Sequence, residues 1–217
     1  MYQLYGRAGW GSALVEAQLA AYRLPFEMIE LGDLFRSAEA RAALVGHNPI
    51  TQVPTLLLPD GQVMTESAAI TLHLAEVTGS ALFVPPAGDP TRPRFLRWLV
   101  FLVANIYPTF TYGDDPGRFV AVEAARERFQ ADVGAYAKRL WRVMEAEAGA
   151  PWWLGARFSA LDLYVAVMTH WAMGPRVPGQ RPRDWFGAEC PKLHAIALAA
   201  DARPELAGVL ARNFARA

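Results

Sequence analysis

Apolar positions change their spacing several times along the chain, and each change marks an element. Tyr2-Gln3-Leu4-Tyr5 predicts a short strand, and Gly6-Arg7-Ala8-Gly9-Trp10-Gly11 a glycine-rich loop leading to Ser12. Leu14, Val15, Leu19 and Tyr22 then recur at helical spacing until Pro25, and Phe26 to Leu31 supplies a second strand. That order is a βαβ unit, whose right-handed crossover pairs the strands in parallel and leaves the Gly6–Ser12 loop at a strand's carboxyl end, where ligands of α/β sheets bind. An alanine-rich helix is predicted over Phe35 to Val45, then strands at Thr55 to Leu58 and Val63-Met64 around the turn Pro59-Asp60-Gly61-Gln62. Ile70, Leu74 and Val77 mark a further helix closed by Thr78-Gly79.

Prolines, Gly88 and Asp89 interrupt the pattern between Pro85 and Pro93, which reads as a linker, and beyond it helices alone are expected. Phe95 to Tyr107 is almost wholly apolar and predicts a buried helix broken at Pro108. Over Gly117 to Ala148, Val122, Phe129, Val133, Tyr136, Leu140 and Val143 define one face of a long amphipathic helix. Ser159 and Asp162 stand three apart at the start of another apolar helix, the spacing of a capping box.

Composition narrows the class. Of 217 residues 53% are hydrophobic and 19% charged, the balance of a folded chain rather than a disordered one. The 21 basic residues match the 21 acidic ones, with no basic run interleaved with aromatics, so no nucleic acid is expected as a partner. A lone cysteine, Cys190, excludes an internal disulfide and fits a reducing compartment, the cytoplasm. Strand-like residues follow Met1 directly, without a signal-peptide pattern, and the longest apolar run, Trp98 to Ala104, is too short to span a bilayer, so no membrane is expected. His73, His170 and His194 lack ligand spacing, so no metal is assigned, and no Gly-x-Ser-x-Gly elbow occurs. Gly6, Gly9 and Gly11 do not have the dinucleotide fingerprint spacing.

The most informative stretch is Asn48-Pro49-Ile50-Thr51-Gln52-Val53-Pro54-Thr55-Leu56, followed by Thr65-Glu66-Ser67-Ala68-Ala69-Ile70. Pro54 fits the first position of a strand, where its missing N–H costs nothing, and it presses Val53 into an extended conformation. A cis Val53–Pro54 bond would turn the chain and leave the Val53 backbone facing outward, able to pair with a peptide-like ligand. Glu66 and Ser67 stand at a helix start, where free amides and the helix dipole attract a carboxylate. The plain alternative is a hairpin followed by an ordinary capped helix.

The block Asn-Pro-x-x-x-Val-Pro-Thr-Leu, then Gly61 and Glu66-Ser-Ala-Ala-Ile70, resembles the glutathione-binding half of the glutathione transferases, in particular the bacterial cytosolic type. The Gly155…Ser159-x-x-Asp162 pattern and the tail around Pro191-Lys192-Leu193 and Ala202-Arg203-Pro204 resemble that family's helical domain, so the likeness covers nearly the whole chain. It implies an α/β thioredoxin-like N-terminal domain over 1–80, a linker over 81–92 and an all-α C-terminal helical domain over 93–217. It also implies a homodimer, to which the apolar helix around Trp98 to Val103 would contribute. Glutathione would be the co-substrate, with Val53, after it Pro54, pairing with its cysteinyl part, Glu66 and Ser67 holding the γ-glutamyl end, and His47 and Gln52 reaching the glycyl carboxylate. Trp10, Tyr107, Phe110 and Tyr112 would line the pocket for a small apolar electrophile. The activity implied is conjugation of the thiolate, a detoxification chemistry. A non-catalytic binding or partner-docking protein, or a glutathione-dependent isomerase, dehalogenase or peroxidase, would share the same site.

The activating group has two candidates. Families of this fold carry a tyrosine at the end of the first strand, or a serine or cysteine in the loop after it. Counting back from Arg23-Leu24, the family's loop serine falls on Gly9 and the bacterial cysteine on Gly11. Ser12 has the right chemistry at the mouth of a helix and is the favoured donor, with a helix N-cap as its other reading; Tyr5 is the second candidate, or a core aromatic. Arg7 would assist by charge or lie solvated in the loop.

Overall fold

The computed structural model describes residues 1–171 and 184–214. The chain forms two compact units, one of residues 1–87 together with the stretch from Ala199 onward, the other of Gly88–Leu198. The division after Ala87 falls within the expected linker over 81–92, whereas the stretch from Ala199, expected in the helical domain, groups with the first unit. The reason at the carboxyl end is packing: the last helix, α10 (Pro204–Phe214), lies against α1 (Ser12–Ala21) of the first unit.

Strands β1 (Tyr2–Gly6), β2 (Phe26–Glu30), β3 (Thr55–Leu57) and β4 (Val63–Met64) form a sheet in the order β2-β1-β3-β4. β2 runs parallel to β1, as the crossover requires, while β3 is antiparallel to β1 with Tyr5 opposite Thr55. Alternation along β1 sends Tyr2 and Leu4 into a core with Val15 and Leu19 of α1, Leu56 of β3, and Ile70 and Leu74 of α3 (Ser67–Thr78). Tyr5 belongs to a second cluster, with Leu31, Leu34 and, from α2 (Ala38–Val45), Ala40 and Leu44. This is the thioredoxin-like arrangement. α2 begins three residues later than its composition predicts, because Asp33 Oδ1 accepts the Phe35 and Arg36 amides in a turn and Ser37 caps the helix by accepting from Ala40 N at 3.0 Å. Gly79 closes α3 in the left-handed conformation, φ 61°.

All regular structure described in the second unit is helical: α4 (Arg92–Phe101), α5 (Tyr107–Asp114), α6 (Arg126–Glu147), α7 (Ala160–His170), α8 (Asp184–Glu189) and α9 (Pro191–Asp201), the last crossing the division between units. Pro108 does not break its helix. A π-helical stretch over Leu102–Ile106 joins α4 to α5, with Tyr107 N bonded five residues back to Leu102 O, and the widened turn accommodates the proline ring and its missing donor. α6 starts only at Arg126, and the face it buries is Ala137, Leu140, Trp141 and Met144, whereas Val122, Tyr136 and Val143 of the expected stripe are exposed. Two apolar stripes compete on this segment, and the one bearing Trp141 buries more surface. Trp98, Leu99 and Leu102, expected to offer apolar surface to a second copy, are buried within the unit, with Trp98 packed 5.0 Å from Trp153.

The Ser159–Asp162 box closes as its spacing predicts and also reaches further. Asp162 accepts from Ser159 N at 2.8 Å and Ser159 Oγ at 3.1 Å, and its other oxygen accepts from Trp153 N at 2.7 Å.

Candidate glutathione site

Ser12, the favoured donor of the sequence reading, is the first residue of α1 and is fully buried. Its Oγ donates to Arg7 O at 3.1 Å and accepts from Arg7 N at 3.0 Å. The hydroxyl's single proton is thereby committed to a backbone carbonyl, and the group clamps the loop instead of facing a ligand. It is not the N-cap either, a place taken by Gly11. Gly6 must lack a side chain for this clamp, since a Cβ there would lie 2.4 Å from Ser12 Cβ. Arg7 reaches Leu31 O at 3.4 Å and stands 5.6 Å over the Trp10 ring, which packs on Phe35 at 4.9 Å.

Tyr5 has the opposite character. It is half-buried, and its hydroxyl lies 3.1 Å from His47 Nε2, with the two rings 4.9 Å apart. Tyr5, Trp10 and Val53 pack on the same cluster of Leu31, Leu34, Ala40 and Leu44, so residues from strand β1 and two loops meet there. His47, expected beside a glycyl carboxylate, directs Nε2 at Tyr5. Nothing in local spacing signals this pairing, since the two residues are 42 apart in sequence.

Val53 precedes a cis bond to buried Pro54. β3 pairs with β1 only as far as Thr55, and among the described residues neither the N–H nor the C=O of Val53 has a hydrogen-bond partner. Buried Asn48, whose role the sequence alone does not reveal, shapes the approach: its Nδ2 donates to Gln52 O at 2.9 Å and Thr55 Oγ1 at 3.1 Å, and its Oδ1 accepts from Ile50 N at 3.2 Å. Gln52 itself is exposed.

Glu66 precedes α3 with φ 62°, a left-handed backbone rare outside glycine and found where surrounding structure fixes a functional segment. Ser67 is buried as the first helical residue; among the described residues its hydroxyl and the amides of Ser67, Ala68 and Ala69 have no partner. These are the orphan donors of a helix start, suited to a carboxylate. A buried relay from α1 fixes the turn, with Gln18 Nε2 donating to Thr71 Oγ1 at 2.9 Å and Thr71 Oγ1 to Ser67 O at 2.8 Å.

Of the aromatics assigned to an electrophile pocket, Trp10 belongs to the first unit and the others to the second. Tyr107 and Phe110 each meet Trp171 edge to face at 5.1 Å, an aromatic the sequence reading passed over, and Tyr112 is exposed against Phe119 at 4.9 Å. Cys190, the chain's one thiol, is buried, and burial first, then nearby carboxylates, pushes its pKa up to about 12, which leaves it an inert thiol. Among the described residues no cluster of three or more His, Cys, Asp or Glu is placed to hold a metal, and no helix is long and apolar enough to cross a membrane.

Comparison with known proteins bears on these features. Residues 15–77 match the family model for the glutathione S-transferase N-terminal domain. An uncharacterized GST-like protein of Escherichia coli (strain K12), YncG, is 34% identical over 214 residues, 98% of each chain. Among solved structures, a sphingomonad glutathione S-transferase complexed with glutathione aligns over 96% of both chains at 25% identity with a TM-score of 0.74. A glutathione transferase homologue from Sulfitobacter with bound glutathione shows the same fold over 99% of both chains, at 22% identity and a TM-score of 0.84. With a relative this similar along nearly its whole length, the chain belongs to the glutathione S-transferase family.

Proposed function

We propose that the protein binds glutathione along Val53 and the start of α3, ionises its thiol, and transfers the thiolate to a small apolar electrophile. The observation that carries this reading is the pairing, within one unit, of a Val53 backbone with amides and a hydroxyl at the start of α3 that have no partner among the described residues. The cysteinyl part pairs with the Val53 backbone, the γ-glutamyl carboxylate lies on the α3 amides and Ser67, Glu66 meets the γ-glutamyl ammonium, and Gln52 takes the glycyl end. Tyr5 holds the sulfur. With His47 Nε2–H donating to the phenol oxygen, the Tyr5 proton is left for the thiolate, and the thiol's own proton passes to solvent. The sulfur lone pair then forms the new C–S bond as the electrophile's leaving group departs with its electron pair. Retention on immobilised glutathione and conjugation of a chloronitroarene are expected; no retention and no turnover at saturating glutathione overturns the reading.

A second reading keeps the binding site but not the chemistry. It is favoured by glycines at positions 9 and 11 and by the committed hydroxyl of Ser12, and it predicts bound glutathione whose thiol stays protonated at neutral pH. Isomerase, dehalogenase or peroxidase chemistry would use the same glutathione site, and a panel of electrophiles separates these.

The protein acts in the cytoplasm as a homodimer in this account, which the exposed Val100 of α4 and Tyr136 and Val143 of α6 support. Sedimentation at micromolar concentration should give twice the chain mass; a monomer there refutes the dimer.

A further inference from the structure

We infer that Asn213, near the end of the chain, is a positioning residue that holds the Gly9–Trp10 turn beside the proposed thiol site. The inference rests on the glutathione reading above for its link to catalysis. Gly9 N donates to Asn213 Oδ1 at 3.0 Å across 204 positions of sequence. Asn213 Nδ2 donates in turn to Glu16 Oε2 at 3.0 Å and to Val209 O at 2.9 Å. Both of those partners are acceptors only, and Gly9 N is a donor only, so the orientation of the amide is fixed by its surroundings.

Glu16 explains why α10 docks there at all. It sits on α1 with 1% exposure, and a carboxylate taken out of water is costly unless it is paired. Both answering groups come from the last turn of α10, the Asn213 amide on one oxygen and the Arg212 guanidinium against the other. Gly9 has φ +77°, a backbone conformation that favours glycine, and a Cβ there would stand 3.4 Å from the Asn213 carbonyl, in ordinary contact with this helix. The next residue is Trp10, whose N closes a turn onto Arg7 O at 3.1 Å and whose ring packs in the cluster of Tyr5 and Val53. The buried charge of α1 thus tethers the last helix, and Asn213 passes that anchorage to the turn beside Tyr5. Asn213 touches no reacting atom in this account.

The test uses the full chain with Asn213→Ala, read by amide hydrogen exchange, by affinity for S-methylglutathione and by kcat with a chloronitroarene at saturating glutathione. Exchange at the Gly9 and Trp10 amides is expected to rise about tenfold or more. Affinity for S-methylglutathione, set at Val53 and Ser67, should change by less than about twofold while kcat falls roughly tenfold. Moving the carboxylate with the pair Asn213→Asp and Glu16→Gln keeps an acceptor for Gly9 N and restores an amide-to-carboxylate bond; it should return exchange and kcat to within about threefold of the starting protein. Unchanged exchange at Gly9, unchanged kcat, or affinity and kcat falling together overturns the assignment. If the unaltered protein binds no glutathione, the reading of the site fails, whereas the exchange measurement still decides whether Asn213 holds the turn.

Discussion

Tyr5→Phe is expected to raise the pKa of bound glutathione's thiol by about one to two units and to slow conjugation at neutral pH about tenfold, while Ser12→Ala leaves that pKa in place and lowers stability instead. A hydrogen bond to a charged group contributes roughly 1.5–3 kcal/mol, and each 1.36 kcal/mol of preference for the thiolate is about one pKa unit. Tyr5 can supply that bond because its hydroxyl meets an imidazole nitrogen able to act as donor, leaving the phenolic proton for the sulfur. Ser12 cannot, because its proton lies on Arg7 O and the group is closed to solvent. Removing its hydroxyl leaves the Arg7 N–H without its partner, while Arg7 O keeps the Trp10 N–H, a loss of about 2 kcal/mol read from urea unfolding. Should Ser12→Ala move the thiol pKa and Tyr5→Phe leave it, the sulfur lies on the helix side of the loop and the assignment is reversed.

The second large effect lies outside the site. Asp162→Ala should destabilise the protein by about 3–5 kcal/mol, because Asp162 accepts the amides of Trp153 and Ser159 and the Ser159 hydroxyl in a fully buried position, and truncation orphans all three. Burial raises its pKa to about 6, against which the three hydrogen bonds act only in part. The sign follows from proton counting. The folded state binds more protons than the unfolded one between about pH 4 and 6, so this group's contribution is complete below that window and weakens as pH rises through 6, by at most about 3 kcal/mol. The stability gap between the unaltered protein and Asp162→Ala is therefore expected to be wider at about pH 4.5 than at about pH 7.5, measured by urea unfolding at both. A gap that widens with rising pH means the hydrogen bonds outweigh burial and the pKa is lowered.

How far the sequence carries depends on the range of the interaction that decides each feature. The β3–β4 hairpin was readable because its turn residues Pro59-Asp60-Gly61-Gln62 are contiguous, and the Ser159–Asp162 box because its partners are three apart. The orphan backbone at Val53 was readable from Pro54 only on condition of a cis bond, which the structure has. Periodicity failed where two stripes competed, as on α6, whose expected and observed faces share only Leu140. It failed again at Pro108, since a π turn that absorbs a proline has no composition of its own. Ser12 was recognisable as a hydroxyl at a helix start, but which atoms consume it depends on how the loop folds back onto Arg7. The contacts that now define the candidate site, Tyr5 with His47 and Gly9 with Asn213, join distant segments through tertiary packing, and no local pattern encodes them.

The central claim is that this protein binds glutathione and ionises it. The most direct measurement is a titration of the thiolate's ultraviolet absorbance in the bound complex, followed from about pH 5 to 9 and compared with free glutathione, whose thiol titrates near about 8.5. The account predicts a midpoint for the bound thiol at least about one unit below the free value. A bound thiol that titrates where free glutathione does contradicts it.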